Sequence, residues 1–265
     1  MIKLVAVDVD GTFIRSDYTF DVERFEKIFA RMKAAGCNFV VASGNQYYQL
    51  KEIFQKYGDE ISFVSDNGAY IETRGKVIFA ADIPKETVAS VTDFCRQYPK
   101  INKFLCGVKS AYCERGTVSV DWFNYMKKFM PRMEWVDDFK TVDDQFLKFA
   151  LQVPENELLK IYELLRENLQ GKLTATTSGH DSIDLIISGL HKASGIKKLV
   201  ELFGITAAEC AAFGDSQNDV EMLKYCGESY AMANAAPAVK AVAKYICPPN
   251  NEDGVLVTLD KIFPQ

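Results

Sequence analysis

Two carboxylates two residues apart, Asp8 and Asp10, follow an apolar run from Ile2 to Val7 and precede Gly11-Thr12. The run reads as a buried strand. Side chains alternate along a strand, so residues at i and i+2 leave its end on the same side. Gly11 lets the backbone turn sharply straight afterwards. A pair of acids at the C-terminal end of a central parallel strand lies where open α/β sheets bind ligands. Such a pair can hold a divalent cation and can divide nucleophile and acid/base roles. The same DxDG run also occurs in plain turns and calcium loops, so the rest of the chain has to decide.

Three more loops carry complementary chemistry. Ser43-Gly44 offers a hydroxyl and an open backbone that an anion can approach. Ser43 could also be a helix N-cap. Lys192 supplies a positive charge at the start of a helix, or is an ordinary solvated lysine. Asp215, Asn218 and Asp219 form the fourth group, and each also suits a turn or a cap. Each loop alone is weak. Together, each at a strand end or helix start, they suit a phosphoryl group.

The elements that would position these loops alternate. A helix from about Asp21 to Ala35 keeps Val22, Phe25, Ile28, Phe29 and Met32 at helical spacing, and Gly36 stops it. Cys37 to Ala42 reads as a strand. Leu50, Ile53, Phe54 and Tyr57 mark a helix stopped by Gly58. Ile61 to Val64 is a third strand, running into Asp66-Asn67-Gly68. This β-α-β-α-β order implies a parallel sheet with right-handed crossovers. A hairpin about Arg74-Gly75 follows.

From about Asp82 the pattern changes to mixed helices and short antiparallel strands. These include a helix from Trp122 to Phe129, a strand at Phe146 to Val153, and strands at Leu173 to Thr177 and Ser182 to Ile187. Alternation returns at His191, with a capping-box pattern at Thr206-x-x-Glu209 and a short strand from Cys210 to Phe213. The expected organisation is a discontinuous α/β unit, 1–81 and 188–265, split around an α+β insert, 82–187.

The chain has 265 residues, 48% hydrophobic and 25% charged, enough apolar material for a full core without staples. Net charge is −5 with no basic block, which argues against nucleic acid as partner. No run approaches the ~20 apolar residues of a membrane span, and the N-terminus reads as a strand, not a signal peptide. Seven cysteines without a CxxC read as buried, reduced thiols in a cytoplasmic protein. No GxxxxGK[ST] loop occurs.

DVDGT, ASGN, HKASGI and GDSQND resemble, in order and context, the four motifs of the haloacid dehalogenase superfamily. The insert after the third strand resembles the Cof-type branch, and Asn67-Gly68 with ASGNQYYQL resembles its bacterial sugar phosphatases. The resemblance implies a Rossmann-like parallel-sheet core with an inserted cap that selects substrate. It implies Asp8 as nucleophile, forming an aspartyl-phosphate, and Asp10 as general acid and then base. It implies Mg²⁺ at Asp8, Asp10 and Asp215, with Asp219 orienting them from behind. The Val9 and Gly44 amides, Ser43, Lys192 and Asn218 would hold the phosphoryl oxygens. Superfamily ATPases carry threonine two positions after the first acid, so Asp10 favours phosphatase or mutase chemistry.

Asn67, Gly179, His180 and Asp184 are possible substrate contacts; the last three, with Asp181, could also form a solvated hairpin turn. Trp122, Phe123 and Tyr125 suit helix packing better than a sugar platform, and His191 suits packing or capping. The expected activity is Mg²⁺-dependent hydrolysis of small phosphorylated metabolites, sugar phosphates first. A phosphomutase and a non-catalytic phosphate sensor remain the alternatives. Oligomeric state is not readable from the sequence.

Overall fold

The structure is a computed structural model that describes residues 1–169, 171–177 and 181–265. β1 (Leu4–Val7) is buried throughout, as an unbroken apolar strand covered on both faces should be. In α1 (Val22–Ala34), Asp21 caps by accepting from the Arg24 amide, and Phe25, Ile28, Phe29 and Met32 form the buried stripe. β2 (Asn38–Ala42), α2 (Tyr47–Ile53) and β3 (Ser62–Ser65) continue the alternation. α2 is shorter than its apolar spacing suggests, because Gln55–Tyr57 tighten into a 3-10 turn. β4 (Tyr70–Thr73) and β5 (Lys76–Ala80) form the expected hairpin.

The middle of the chain contributes α3 (Lys85–Arg96), β6 (Asn102–Gly107), β7 (Ala111–Glu114), α4 (Val120–Met126) and β8 (Met133–Val136). β9 (Phe146–Gln152), α5 (Leu158–Asn168), β10 (Leu173–Thr177) and β11 (Ser182–Ile187) follow. α4 starts and stops earlier than expected, capped by Ser119, and β8 is a strand the periodicity did not reveal. The chain then returns through α6 (Lys192–Phe203), β12 (Cys210–Gly214), α7 (Val220–Tyr225) and β13 (Glu228–Met232). α8 (Pro237–Lys240), β14 (Tyr245–Cys247) and α9 (Gly254–Ile262) complete it.

Two sheets result. The first runs β14-β13-β12-β1-β2-β3-β4-β5, parallel from β14 to β3 and closed by the antiparallel hairpin. The second runs β10-β11-β9-β6-β7-β8, antiparallel except for β7 with β8. Its one face packs α3 and α5 through Val88, Val91, Cys95, Ile161 and Leu165. On its other face Phe104, Cys106 and Ala150 sit beside Lys148, Gln152 and Asp184, facing the first sheet's loops across a cavity. All seven cysteines are free and buried.

An aromatic block anchors the turn that follows Asp10. The Phe13 ring lies 5.1–5.6 Å from those of Phe20, Phe25, Phe39 and Phe54. Tilted and edge-on pairs of this kind add to the burial energy and fix the loop's course.

Candidate active site

Strand register brings the four loops together. Val7 pairs with Val41 on one side and Phe213 on the other, all parallel. The residues just past each strand therefore emerge side by side: Asp8, Ser43-Gly44 and Asp215. β1 lies between strands reached by opposite crossovers, the switch point where open sheets bind ligands.

Lys192, the first residue of α6, is 1% exposed and donates to Asp8 Oδ1 and to Asp219 Oδ1, 2.6 Å each. Burial alone would lower its pKa, but the charges of Asp219 and Asp8 outweigh it and the pKa is raised. Burial pushes Asp8 up to about 6 against the pull of Lys192, with Asp215 adding to the rise. Asp215 also rises to about 6, through burial and the charge of Asp219.

Both oxygens of Asp219 already accept hydrogen bonds. Its Oδ1 takes Lys192, and its Oδ2 accepts the Asp215 and Ser216 amides at 2.9 Å each. It holds the loop that aims Asp215. One carboxylate oxygen from each of Asp8, Asp215 and Asp219 lies within 4.8 Å of the others. Such a set of hard oxygens fits a divalent cation. Gly11 makes room for the Asp215 carboxylate, because a Cβ there, at φ +73, would meet Asp215 Oδ2 at 2.6 Å. Thr12 Oγ1 steadies the other Asp215 oxygen at 3.0 Å.

Asp10 faces the cleft, and Asn45 Nδ2 donates to its Oδ2 at 2.6 Å. Desolvation in the cleft raises its pKa, with the Asn45 bond opposing. Ser43 is not the helix cap: Gln46 occupies the N-cap of α2, and Ser43 Oγ accepts the Asn45 amide at 3.1 Å. Asn218 Nδ2 donates to Asn67 Oδ1 at 3.1 Å, while its own buried Oδ1 has no partner among the described residues.

The cavity between the sheets measures about 450 Å³. Asp8, Asp10, Ser43, Gly44 and Asn218 line its floor. Lys192 and Asp215 stand behind that floor, outside the lining. Asn67 does not line it either; its amide nitrogen donates to Asp184 Oδ2 at 2.6 Å. Asp184 is buried within β11, in the cavity wall, so it is not part of a solvated turn. Gly179 and His180 lie outside the described residues. His191 caps α6, its Nδ1 accepting the Ser194 amide.

Several wall residues escape sequence reasoning. Lys148 is the one charge in the β9 sequence FLKFALQ, a signal in itself, since a lysine inside a buried strand needs partners. Burial lowers its pKa, but the Asp184 charge foremost raises it further, so it stays a cation. Asp66, at φ 50, is buried, and among the described residues neither carboxylate oxygen has a partner at good hydrogen-bond geometry. Tyr125, Met126 and Phe129 reach the cavity, whereas Trp122 stacks on Phe104 and Phe123 on Trp135, as packing residues do.

The model of haloacid dehalogenase-like hydrolases matches residues 5–259. The chain belongs to this family. As a haloacid dehalogenase-like hydrolase it is 40% identical to 5-amino-6-(5-phospho-D-ribitylamino)uracil phosphatase YbjI of Escherichia coli, over 99% of this chain and 96% of that protein. It is 25% identical to the HMP-PP phosphatase of Yersinia pseudotuberculosis, over 91% and 87% respectively. The crystal structure of SMU.1108c from Streptococcus mutans superposes with a TM-score of 0.94 at 36% identity, covering 100% of both chains. The hydrolase is an enzyme of the phosphatase kind, with a parallel-sheet core and a second lobe over it. Members of this family generally use a divalent metal, which the acidic cluster suits. Among the described residues no helix is long and apolar enough to cross a membrane.

Proposed function

We propose that this hydrolase is a Mg²⁺-dependent phosphatase of small phosphorylated metabolites, with sugar phosphates as the first class to test. The observation that carries the reading is the lysine-paired Asp8 beside Asp10 on the floor of the cavity, with Asp215 within reach. Residues 1–81 and 188–265 are the catalytic unit, and 82–187 is the cap that selects the leaving group.

Asp8 attacks phosphorus through a carboxylate oxygen, and the ester P–O bond breaks. Asp10, its pKa raised, gives its proton to the departing alcohol oxygen. It then takes a proton from the water that cleaves the aspartyl-phosphate, releasing phosphate and restoring Asp8. Lys192 holds Asp8 ionised and oriented from behind. Ser43 and the Val9 and Gly44 amides would donate to the phosphoryl oxygens, and Asn218 would join them with its amide turned so that the nitrogen that now donates to Asn67 faces the cavity. Asp8, Asp215 and the Asp10 carbonyl would hold Mg²⁺, which when bound offsets the repulsion between these acids and a phosphate dianion.

The cavity wall favours one refinement of substrate. Phe104, Tyr125, Met126 and Phe129 make an apolar side, and Gln152, Asp181, Ser182 and Asp184 a polar one. A phosphorylated polyol carrying a flat heterocycle, as in the name of the Escherichia coli relative, matches both sides. Seven free thiols suit a reducing, cytoplasmic setting.

The test is phosphate release from a panel of sugar phosphates and a ribitylamino-pyrimidine phosphate, with Mg²⁺ and with EDTA. We expect turnover only with the metal. Full turnover in EDTA, or transfer between sugars without phosphate release, would contradict the reading.

A further inference from the structure

The second lobe grips the loops that carry the chemistry at several points: Gln46 exchanges two hydrogen bonds with the Arg132 backbone, Asn67 donates to Asp184, and one buried lysine reaches the Gly44 carbonyl. Lys148 Nζ donates to the Gly44 carbonyl at 2.7 Å and to Asp184 Oδ2 at 2.9 Å. Register explains why the two meet: Asp184 faces Ala150 across β11 and β9, and Ile186 faces Lys148, so the pair is diagonal on one face. Both side chains are more than nine-tenths buried.

The Gly44 carbonyl belongs to the peptide unit whose nitrogen is Asn45. That nitrogen donates to Ser43 Oγ at 3.1 Å. The unit is therefore pinned at its oxygen from the second lobe and at its nitrogen from the first. The Asn45 side chain, which extends from this unit, makes the 2.6 Å bond to Asp10 Oδ2. A continuous set of contacts runs from a lysine in the insert to the acid at the end of β1.

We propose that Lys148 is a positioning residue: it fixes the Gly44-Asn45 peptide so that Asn45 holds the Asp10 carboxyl toward the leaving-group oxygen. The inference rests on the assignment of Asp10 as the acid. It adds that the insert helps assemble the proton donor, in addition to covering the substrate. Without Lys148 the peptide turns, Asn45 leaves Asp10, and protonation of the departing alcohol loses its geometry.

Leaving-group chemistry separates this from general loss of structure. An alkyl alcohol needs a proton to depart, whereas p-nitrophenolate leaves without one. Lys148→Met should lower kcat/KM, which reports the steps up to the aspartyl-phosphate and not the water step common to both substrates, by about 10-fold or more on an alkyl phosphomonoester beyond its effect on p-nitrophenyl phosphate, within the range a general acid supplies. Asn45→Ala should give the same selective loss. The double variant should lose no more than the worse single one, because both act on one contact chain. Lys148→Met leaves Asp184 without a counter-charge, so Lys148→Met/Asp184→Asn, which removes both charges, serves if the single variant does not fold. Equal losses of kcat/KM on the two substrates, or additive losses when Lys148→Met and Asn45→Ala are combined, overturn the proposal. If the wild-type protein with Mg²⁺ hydrolyses neither substrate, the phosphatase reading itself fails, which is a separate outcome.

Discussion

At the scale of single residues, the site is a buried balance of charge. Lys192 serves two acids that water barely reaches, Asp8 and Asp219. Replacing it with methionine leaves both without a counter-charge, at a cost of about 3–5 kcal/mol for a buried pair that is broken. Both acids have pKa values near 6, so they can take up protons in acid and the loss should be largest above that pH. Urea unfolding of Lys192→Met at about pH 5 and about pH 8 checks this. Asp66 tells the opposite story. Burial pushes it up to about 7 against the attraction of Lys148, with the charge of Asp184 adding to the rise. Its folded pKa is above the unfolded value of 3.8, so the fold loses stability as pH rises from about 4 to about 7. Asp66→Asn removes that loss, worth up to about 4 kcal/mol above pH 7. Asparagine also accepts the left-handed backbone found there. We expect a higher Tm than wild type at about pH 8 and a smaller difference at about pH 5. A variant less stable than wild type at both would contradict this account.

At the scale of elements, geometry depends on how closely α6 lies against the sheet. Gly195 sits where a Cβ would meet Val64 Cγ1 at 2.4 Å. Gly195→Ala forces the helix away from β3, at about 1–3 kcal/mol. Lys192 is on the same helix, one turn earlier, so turnover should fall with stability; a denaturation midpoint and a kcat on one folded sample test both. Strands and helices with a clear apolar period were readable from sequence, and so were the loops that follow them. The Thr206–Glu209 capping box and the His191 cap also form as their residue types allow. Other features depend on tertiary context that no local pattern carries. β8 is four residues long, with Met133 buried, Glu134 exposed and Trp135 half-buried against Phe123, too short for an apolar alternation to stand out. Lys148 looks out of place in an apolar strand until Gly44 and Asp184, distant in sequence, supply its partners. Ser43 reads as a cap in sequence, but the turn to Asn45 moves the helix start on to Gln46.

At the scale of the whole molecule, an acidic chain of net charge −5 has to bind an anion. Local remedies are the buried cation Lys192, backbone amides and hydroxyls at the strand ends, and a metal at the acidic cluster. Asp8, Asp215 and Asp219 all have raised folded pKa values, near 6. Below that pH protons occupy the cluster, and above it the ionised acids repel one another and destabilise the metal-free fold. A divalent cation binds the ionised form and should stabilise the protein by mass action. The rise in Tm on adding Mg²⁺ should therefore be small at about pH 5 and grow toward about pH 8. No shift with any divalent ion at either pH would remove the metal from the account. The central claim is that Asp8 carries the phosphoryl group. Rapid acid quench during turnover with Mg²⁺, followed by mass spectrometry of the N-terminal peptide, reads it directly. We predict a phosphoryl group on Asp8 in the wild-type protein, and neither that adduct nor phosphate release in a folded Asp8→Asn variant. Turnover that survives Asp8→Asn would contradict the account.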